Sequence, residues 1–286
     1  MIEPATQHLE NHLLAILEER NPFTTLDRLH KTGRYITAHF ESLSLPVQEE
    51  KVLFEGTESV NVLGLKEGKS RPDEVFILAA HYDTVEGTPG ADDNGSAVAA
   101  LLEIARCLEP VPLDASLLYA AFTLEEYGFI GSRHFIAQAE NRNKHWLGMI
   151  SLEMVGFCSR QPGSQSYPPY VDASRYPDTG DFIAVVGNEP SAQLTLSVAE
   201  NIKRTVPGLG VESLIVPGRG DEFTEVRLSD HSPFWEHGTP AVMLTDTAFF
   251  RNPNYHQSTD TFDTLDLEFI RDVSKGVAGY LESTLA

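Results

Sequence analysis

The sequence predicts an α/β protein: a single-domain, three-layer sandwich with a mostly parallel, mixed central sheet and helices on both faces. Three observations carry this reading. Short, wholly apolar runs such as Val75-Phe76-Ile77-Leu78-Ala79-Ala80 have the composition of strands covered on both sides. Segments with helical spacing alternate with these runs, which implies crossover connections and a parallel arrangement. No repeat, low-complexity tract or shift in composition divides the 286 residues, and a hydrophobic content of 41% suffices for one large core.

The elements follow in order. Residues 3–20 and 23–44 have helical spacing, with Leu26, Leu29, Ile36 and Phe40 broadly on one side and Pro22 at the break. Residues 1–45 are therefore expected as N-terminal helices packed on the body of a domain spanning 1–286. Segments near 47–55 and 59–66 read as strands joined through Glu55-Gly56-Thr57-Glu58. The strand 75–80 precedes an amphipathic helix from Ser96 to Leu108. Ser116 to Phe122 is a second buried strand, followed by a helix near 127–139, and Trp146 to Leu152 is a third strand. Residues 157–180 break the rhythm with Pro162, Pro168, Pro169 and Pro177, and a loop this long is expected to be a lid, a pocket wall or a disordered insertion. Alternation resumes with the strand 182–186 and a helix near 190–203. Ala241 to Leu244 is the final strand, and a closing helix runs from about 266 to 284.

Composition narrows the function. Acidic residues outnumber basic ones, 42 to 21, for a formal charge of −21. Nucleic acid needs a basic footprint and is excluded as an expected partner. The charge favours solubility and is compatible with the attraction of cationic substrates, although a solvated acidic surface is the favoured account of it. Cys107 and Cys158 do not make a disulfide framework in a chain this long; Cys107 lies in a helical apolar pattern as a small core residue. Residues 1–5 lack the basic start and apolar core of a signal segment. No stretch approaches the roughly 18 apolar residues of a membrane helix. An intracellular, cytoplasmic protein with no membrane partner is expected.

Ligands of open α/β sheets bind beyond the carboxyl ends of the strands. His81 follows the strand 75–80, Glu125 and Glu126 follow the strand 116–122, and Glu153 ends the strand 146–152. His256 lies on the loop after the strand 241–244, and Asp93 on the loop Gly90-Ala91-Asp92-Asp93-Asn94-Gly95-Ser96. These groups are costly to bury unless something satisfies them, and a pair of divalent metals would satisfy all of them. Mixed imidazole and carboxylate ligands suit zinc, manganese or cobalt. Two histidines and three carboxylates serve two metals if one carboxylate bridges, and Asp93, short and on a tight loop, is the natural bridge. Glu125 and Glu126 are adjacent, so one is expected to bind metal while the other faces the water as general base. Asp83, two residues past His81, is placed to orient that imidazole. Blander accounts exist for each piece: the Glu-Glu pair as a helix-dipole interaction, Gly95-Ser96 as loop and cap chemistry, and Asp260 and Asp263 as turn and helix-start residues. The joint occurrence at strand ends favours a metal site.

With these residues in place the chain resembles the M28 family of zinc aminopeptidases, from about residue 59 to the C-terminus. The motifs are His81-Tyr82-Asp83-Thr84, the loop 90–96, Glu125-Glu126 with Gly131-Ser132, Leu152-Glu153-Met154-Val155-Gly156, Ser229-Asp230-His231 and Tyr255-His256. The resemblance implies two zinc ions, with cobalt or manganese as possible substitutes. His81, Asp93 and Glu153 would hold one, and Asp93, Glu126 and His256 the other. It implies Glu125 as general base, Tyr255 as a hydrogen-bond donor to the oxyanion, and Asp83 and Asp230 as supports behind the ligands. It also implies a cis peptide bond between Asp93 and Asn94. The implied substrates are peptides with a free N-terminus. The family usually has aspartate where this chain has Glu153, and glycine where it has Ala97. A glutaminyl-cyclase-like acyltransferase shares the fold and the Asp230-His231-Ser232-Pro233-Phe234 pattern but works with one zinc. A non-catalytic receptor-like domain of the same fold is a third possibility, and such domains lose ligands.

Overall fold

A computed structural model of the chain describes residues 1–138, 141 and 144–286. The strands are β1 (Val47–Phe54), β2 (Thr57–Lys66), β3 (Arg71–His81), β4 (Ala115–Phe122), β5 (His145–Glu153), β6 (Phe182–Asn188), β7 (Gly210–Val216) and β8 (Ala241–Thr245). The helices are α1 (Thr6–Ile16), α2 (Leu26–Ser42), α3 (Ala97–Leu108), α4 (Ile130–Ala137), α5 (Ala192–Thr205), α6 (His231–His237) and α7 (Leu267–Leu285). Among the described residues the strands form one sheet in the order β1-β2-β4-β3-β5-β8-β6-β7. The central four, β4, β3, β5 and β8, are mutually parallel, β1 and β2 attach antiparallel at one side, and β6 turns antiparallel against β8 while pairing parallel with β7.

The apolar run in β3 shows why the sheet is covered on both faces. Side chains alternate across a strand. Phe76, Leu78 and Ala80 therefore enter one core, with Leu9 and Leu13 of α1, Phe40 of α2, Ile104 of α3 and Val277 of α7. Ile77 and Ala79 enter the other, with Phe122 of β4, Phe135 of α4 and Phe234 of α6. Each large side chain so buried contributes roughly 1.5–3 kcal/mol. The N-terminal helices belong to the first layer. Phe40 packs so closely on β2 that a Cβ at Gly64 would lie 2.8 Å from its ring. Among the described residues no helix is long and apolar enough to cross a membrane.

Two elements go beyond the sequence reading. β7 is an edge strand whose residues are mostly half-buried, so it shows neither a buried run nor a clean alternation. α6 is a short helix, seven residues long, that contains Pro233. The helix expected near 127–139 begins only at Ile130, because Phe129 takes a left-handed conformation with φ of 61°; residue 139 lies outside the described residues. The segment 157–180 has little regular structure but is pinned by a bridge between Ser159 and Gly180 and by Tyr167 Oη donating to the Pro177 carbonyl at 2.5 Å.

Candidate metal centre

The topology collects the ligand-type residues at one edge of the sheet. His81 and Glu153 are the last residues of the neighbouring strands β3 and β5. Glu125 and Glu126 lie on the turn after β4, and His256 on the loop after β8. Asp93 comes from the loop that enters α3. There Asp93 and Asn94 leave helical geometry, with φ/ψ of −98°/93° and −123°/36°, and the Asp93–Asn94 peptide bond is cis.

Two groups of three result, and Asp93 belongs to both. His81, Asp93 and Glu153 form one, and Asp93, Glu126 and His256 the other, with the ligand atoms of each group within 4.8 Å of one another. Asp93 Oδ1 lies 3.4 Å from His81 Nε2, and its Oδ2 lies 3.1 Å from His256 Nε2. Glu153 Oε2 is 3.5 Å from His81 Nε2, so the longer side chain still reaches the group that the family's aspartate would serve. Glu126 Oε2 is 3.2 Å from His256 Nε2. Glu125 belongs to neither group, but its Oε2 is 3.8 Å from His81 Nε2.

The loops that hold these groups are fixed by buried carboxylates and amides. Asp83 accepts from the main-chain N–H of both Glu125 (3.0 Å) and Glu126 (3.2 Å), and approaches His81 Nδ1 only at 3.5 Å, the edge of hydrogen-bond range. Its stronger role is therefore to hold the glutamate pair. Asp260 does the same for the other loop, accepting from Asp92 N (2.9 Å) and Asp93 N (3.1 Å). It is no mere turn residue, whereas Asp263 remains exposed and bonds Thr261. Asn94 staples the loop to β5, donating to the Leu152 carbonyl and accepting from Met154 N. Ser229 Oγ donates to Glu153 at 2.8 Å. Asp230 is buried and accepts from Ser132 Oγ at 2.6 Å; its bond is to that hydroxyl, not to a ligand-type residue. Left-handed backbone at Leu124 (φ 58°), Met154 (48°) and His256 (57°) clusters here, as strained residues do at functional sites.

The electrostatics test whether metals fit. Both nitrogens of His81, Nε2 of His256 and Oε1 of Glu126 are buried without a hydrogen-bond partner among the described residues. Such orphans cost free energy unless another group satisfies them. Burial opposes charge on His81, yet Glu125 and Glu153 raise its pKa well above the ordinary value. Burial likewise opposes charge on His256, but Asp93 and Glu126 push it up to about 10. Burial, then Asp93, raises Glu126 to about 7, and burial raises Glu125 well above its usual range. The cluster thus calls for positive charge at its centre. Imidazole and carboxylate donors around unpartnered lone pairs fit divalent ions such as zinc.

The family model described as Peptidase family M28 matches residues 61–281. The chain belongs to peptidase family M28. It is 36% identical over 265 residues to the uncharacterized protein YfbL of Escherichia coli K12, covering 88% of this chain and 79% of that one. It is 32% identical over 239 residues to aminopeptidase YwaD of Bacillus subtilis 168, which is 79% of this chain but only 45% of YwaD. Solved structures share the fold. The LapA aminopeptidase of Legionella pneumophila superposes with a TM-score of 0.77 at 20% identity, over 99% of this chain and 72% of its own. BSAP, a zinc aminopeptidase of Bacillus subtilis, gives 0.64 at 24%, over 81% and 51%. The glutaminyl cyclase of Porphyromonas gingivalis gives 0.76 at 18%, over the full length of both.

Next to the centre this M28 chain has a largely apolar cavity. Glu153 and Tyr255 form its boundary with the ligand-type residues. The Tyr255 ring stacks on His256 with centroids 3.8 Å apart. Segment 157–180 contributes Gln165, Tyr167, Pro168 and Tyr176, and Phe249 and Phe250 come from the loop after β8. Sequence reasoning missed three residues of the site. Arg20, Asp260 and Asn252 act through main-chain groups or, for Asn252, through Asp92 Oδ2 at 2.7 Å. No ligand spacing announces them.

Proposed function

We propose that this M28 chain is a metallo-aminopeptidase that removes N-terminal residues from peptides and holds two divalent ions, by preference zinc. His81, Asp93 and Glu153 hold one ion, and Asp93, Glu126 and His256 the other. The observation that carries this reading is Asp93, whose two oxygens face two different imidazoles at 3.4 Å and 3.1 Å. The name of YwaD and the zinc aminopeptidase BSAP support the same reading.

The ions would supply Lewis acidity to the scissile carbonyl and acidify the attacking water. Everything else falls to the chain. Glu125, whose carboxylate lies 3.8 Å from His81 Nε2, accepts the water's proton and delivers it to the leaving amine. Asp83 fixes the main chain at Glu125 and Glu126, so that one side chain serves the water and its neighbour a metal. Tyr255, stacked on His256, donates from its hydroxyl to the carbonyl oxygen as negative charge grows there. Asp230 supports the floor behind these groups through Ser132. The segment 157–180 walls the cavity that receives the first side chain of the substrate and sets the preference among substrates.

Hydrolysis of aminoacyl and dipeptide substrates by the chelated and the zinc-restored chain, with metal content by elemental analysis, tests this. Zinc-dependent release of N-terminal residues with two ions per chain is expected. One ion per chain together with cyclisation of an N-terminal glutamine peptide would replace the reading with a cyclase-like one. Complete retention of activity after exhaustive chelation would overturn both.

A further inference from the structure

We propose that the cavity beside the metal centre takes a side chain with an apolar stem and a cationic tip, so that the preferred peptides begin with lysine or arginine. This rests on the aminopeptidase reading and adds the class of substrate.

The cavity follows one row of the sheet. Glu153 on β5 pairs with Thr245 on β8, Thr245 with Ala184 on β6, and Ala184 with Glu212 on β7. Residues paired across strands project from the same face, and all four line the cavity. A carboxylate therefore stands at each end of a floor made of two small residues. Strand spacings of about 4.8 Å place the Cα atoms of Glu153 and Glu212 roughly 14 Å apart. The adjacent row, Met243, Val186 and Leu214, is apolar.

Charge at the far end has one sign. Glu212 and Glu225 line the cavity, and no lysine, arginine or histidine among the described residues does. Glu225 accepts from Tyr170 Oη at 3.2 Å. Glu212 is half-buried, and its carboxylate has no hydrogen-bond or ion-pair partner among the described residues. Arg251 stacks on the Phe182 ring at 4.5 Å and bonds Gln165 Oε1 at 2.8 Å; it backs the wall and does not line the cavity.

Two kinds of side chain could enter. An uncharged apolar one gains burial on the walls but dries the surroundings of the Glu212 carboxylate, which has no cation to offset its charge, and this opposes binding. A lysine lays the same carbons along the walls and brings its ammonium to Glu212 in a charge-assisted hydrogen bond. Its four-carbon stem spans roughly 6 Å, which carries the ammonium from a substrate α-carbon near Glu153 along the cavity toward Glu212, a lining residue at its far end. An acidic side chain meets repulsion. The net charge of −21 adds attraction for cations at longer range.

The test compares kcat/KM for lysyl and norleucyl anilides with the zinc-loaded full chain and with Glu212→Gln and Glu225→Gln. Norleucine keeps the stem and lacks the ammonium. The lysyl-to-norleucyl ratio is expected above one, and about tenfold lower in Glu212→Gln. A ratio below one, or one unchanged in both variants, overturns the proposal. Turnover of the norleucyl substrate reports separately on the aminopeptidase reading. If neither substrate is turned over, calorimetry with lysinamide and norleucinamide on the same zinc-loaded protein decides. Tighter lysinamide binding that Glu212→Gln abolishes upholds the cavity assignment, and equal binding of the two overturns it.

Discussion

Arg20 donates from Nη2 to the carbonyl oxygen of Gly90 at 2.9 Å, and Gly90 opens the loop that carries Asp93. The same side chain donates from Nε to the carbonyl of Tyr82, the residue after His81, at 2.8 Å, and from Nη1 to Ile16, Glu18 and Pro89. It is fully buried, and burial draws its pKa down to about 10, against the pull of Asp260, Asp83 and Asp93. Gly90 meets it in left-handed backbone (φ 64°), where a Cβ would lie 2.7 Å from Nη2. One guanidinium, upstream of the matched region 61–281, thus ties the two loops that present His81 and Asp93.

Arg20→Met is therefore expected to leave five carbonyls short of a donor, three of them, those of Tyr82, Ile16 and Gly90, in buried bonds. The loss should be about 3 kcal/mol or more in unfolding stability, with weaker metal retention. Urea denaturation and metal titration measure both. A stability within 1 kcal/mol (roughly the scatter of a neutral surface change) with unaltered metal affinity would show that the loops hold themselves.

Glu125→Gln keeps the shape of the side chain but removes the proton acceptor. Activity should fall about 10²- to 10⁴-fold, while metal content and fold stay as they are. Turnover near that of the wild type in a metal-replete Glu125→Gln protein would remove the residue from the role of base.

His256→Ala should lower the metal bound per chain more than it lowers stability, because it takes one of three donors from the more open group. Elemental analysis after dialysis against a weak chelator reads this. Undiminished metal content would mean that His256 points at the centre without ligating.

Replacing residues 163–176 by a short Gly-Ser linker removes Gln165, Tyr167, Pro168 and Val171 from the cavity wall. Metal content should be kept, and the ratios of kcat/KM among lysyl, leucyl and phenylalanyl substrates should change. Identical ratios would reduce the segment to a surface insertion.

His12 gives a pH dependence away from the site. Burial first, and then the charge on neighbouring His39, hold its pKa at about 4, below its ordinary 6.5, with Glu103 pulling up and His8 and Arg106 down. Its ring bonds Tyr35 Oη at 2.8 Å and meets His39 edge-on at 4.7 Å. Between these two pKa values the unfolded chain binds the extra proton, so stability is full above the ordinary pKa and falls as pH drops toward the folded one. At pH 5 the loss from this group alone is about 2 kcal/mol. Denaturation midpoints at pH 7 and pH 5 should differ less in His12→Gln than in the wild type. Equal differences would place the acid sensitivity elsewhere.

These predictions also mark which residues the sequence exposes. His81 and Glu153 are legible because an apolar strand run ends in a group that water would otherwise keep. The buried strands β3, β4 and β5 are legible for the same reason, being apolar on both faces. Arg20 and Asp260 are not. Their partners are main-chain carbonyls and amides, which carry no residue-specific signal, and their neighbours Pro22 and Thr261 look like ordinary turn chemistry. Glu212 was hidden with its strand, since β7 borders solvent and shows only half of a pattern.

The row from Glu153 to Glu212 has a consequence for how such a protein can change. Among the described residues β7 bonds to β6 alone, so its register rests on a single ladder. A residue inserted or deleted in the turn 206–209 would slide β7 by one position and exchange Glu212 for Val211 or Ser213 over the cavity floor, since a one-residue slip turns every side chain to the other face. Such a slip occurs three strands away from Glu153 and leaves the β5–β8 pairing untouched. Substrate range is thus free to drift through indels at the sheet margin while the hydrolytic machinery is inherited unaltered.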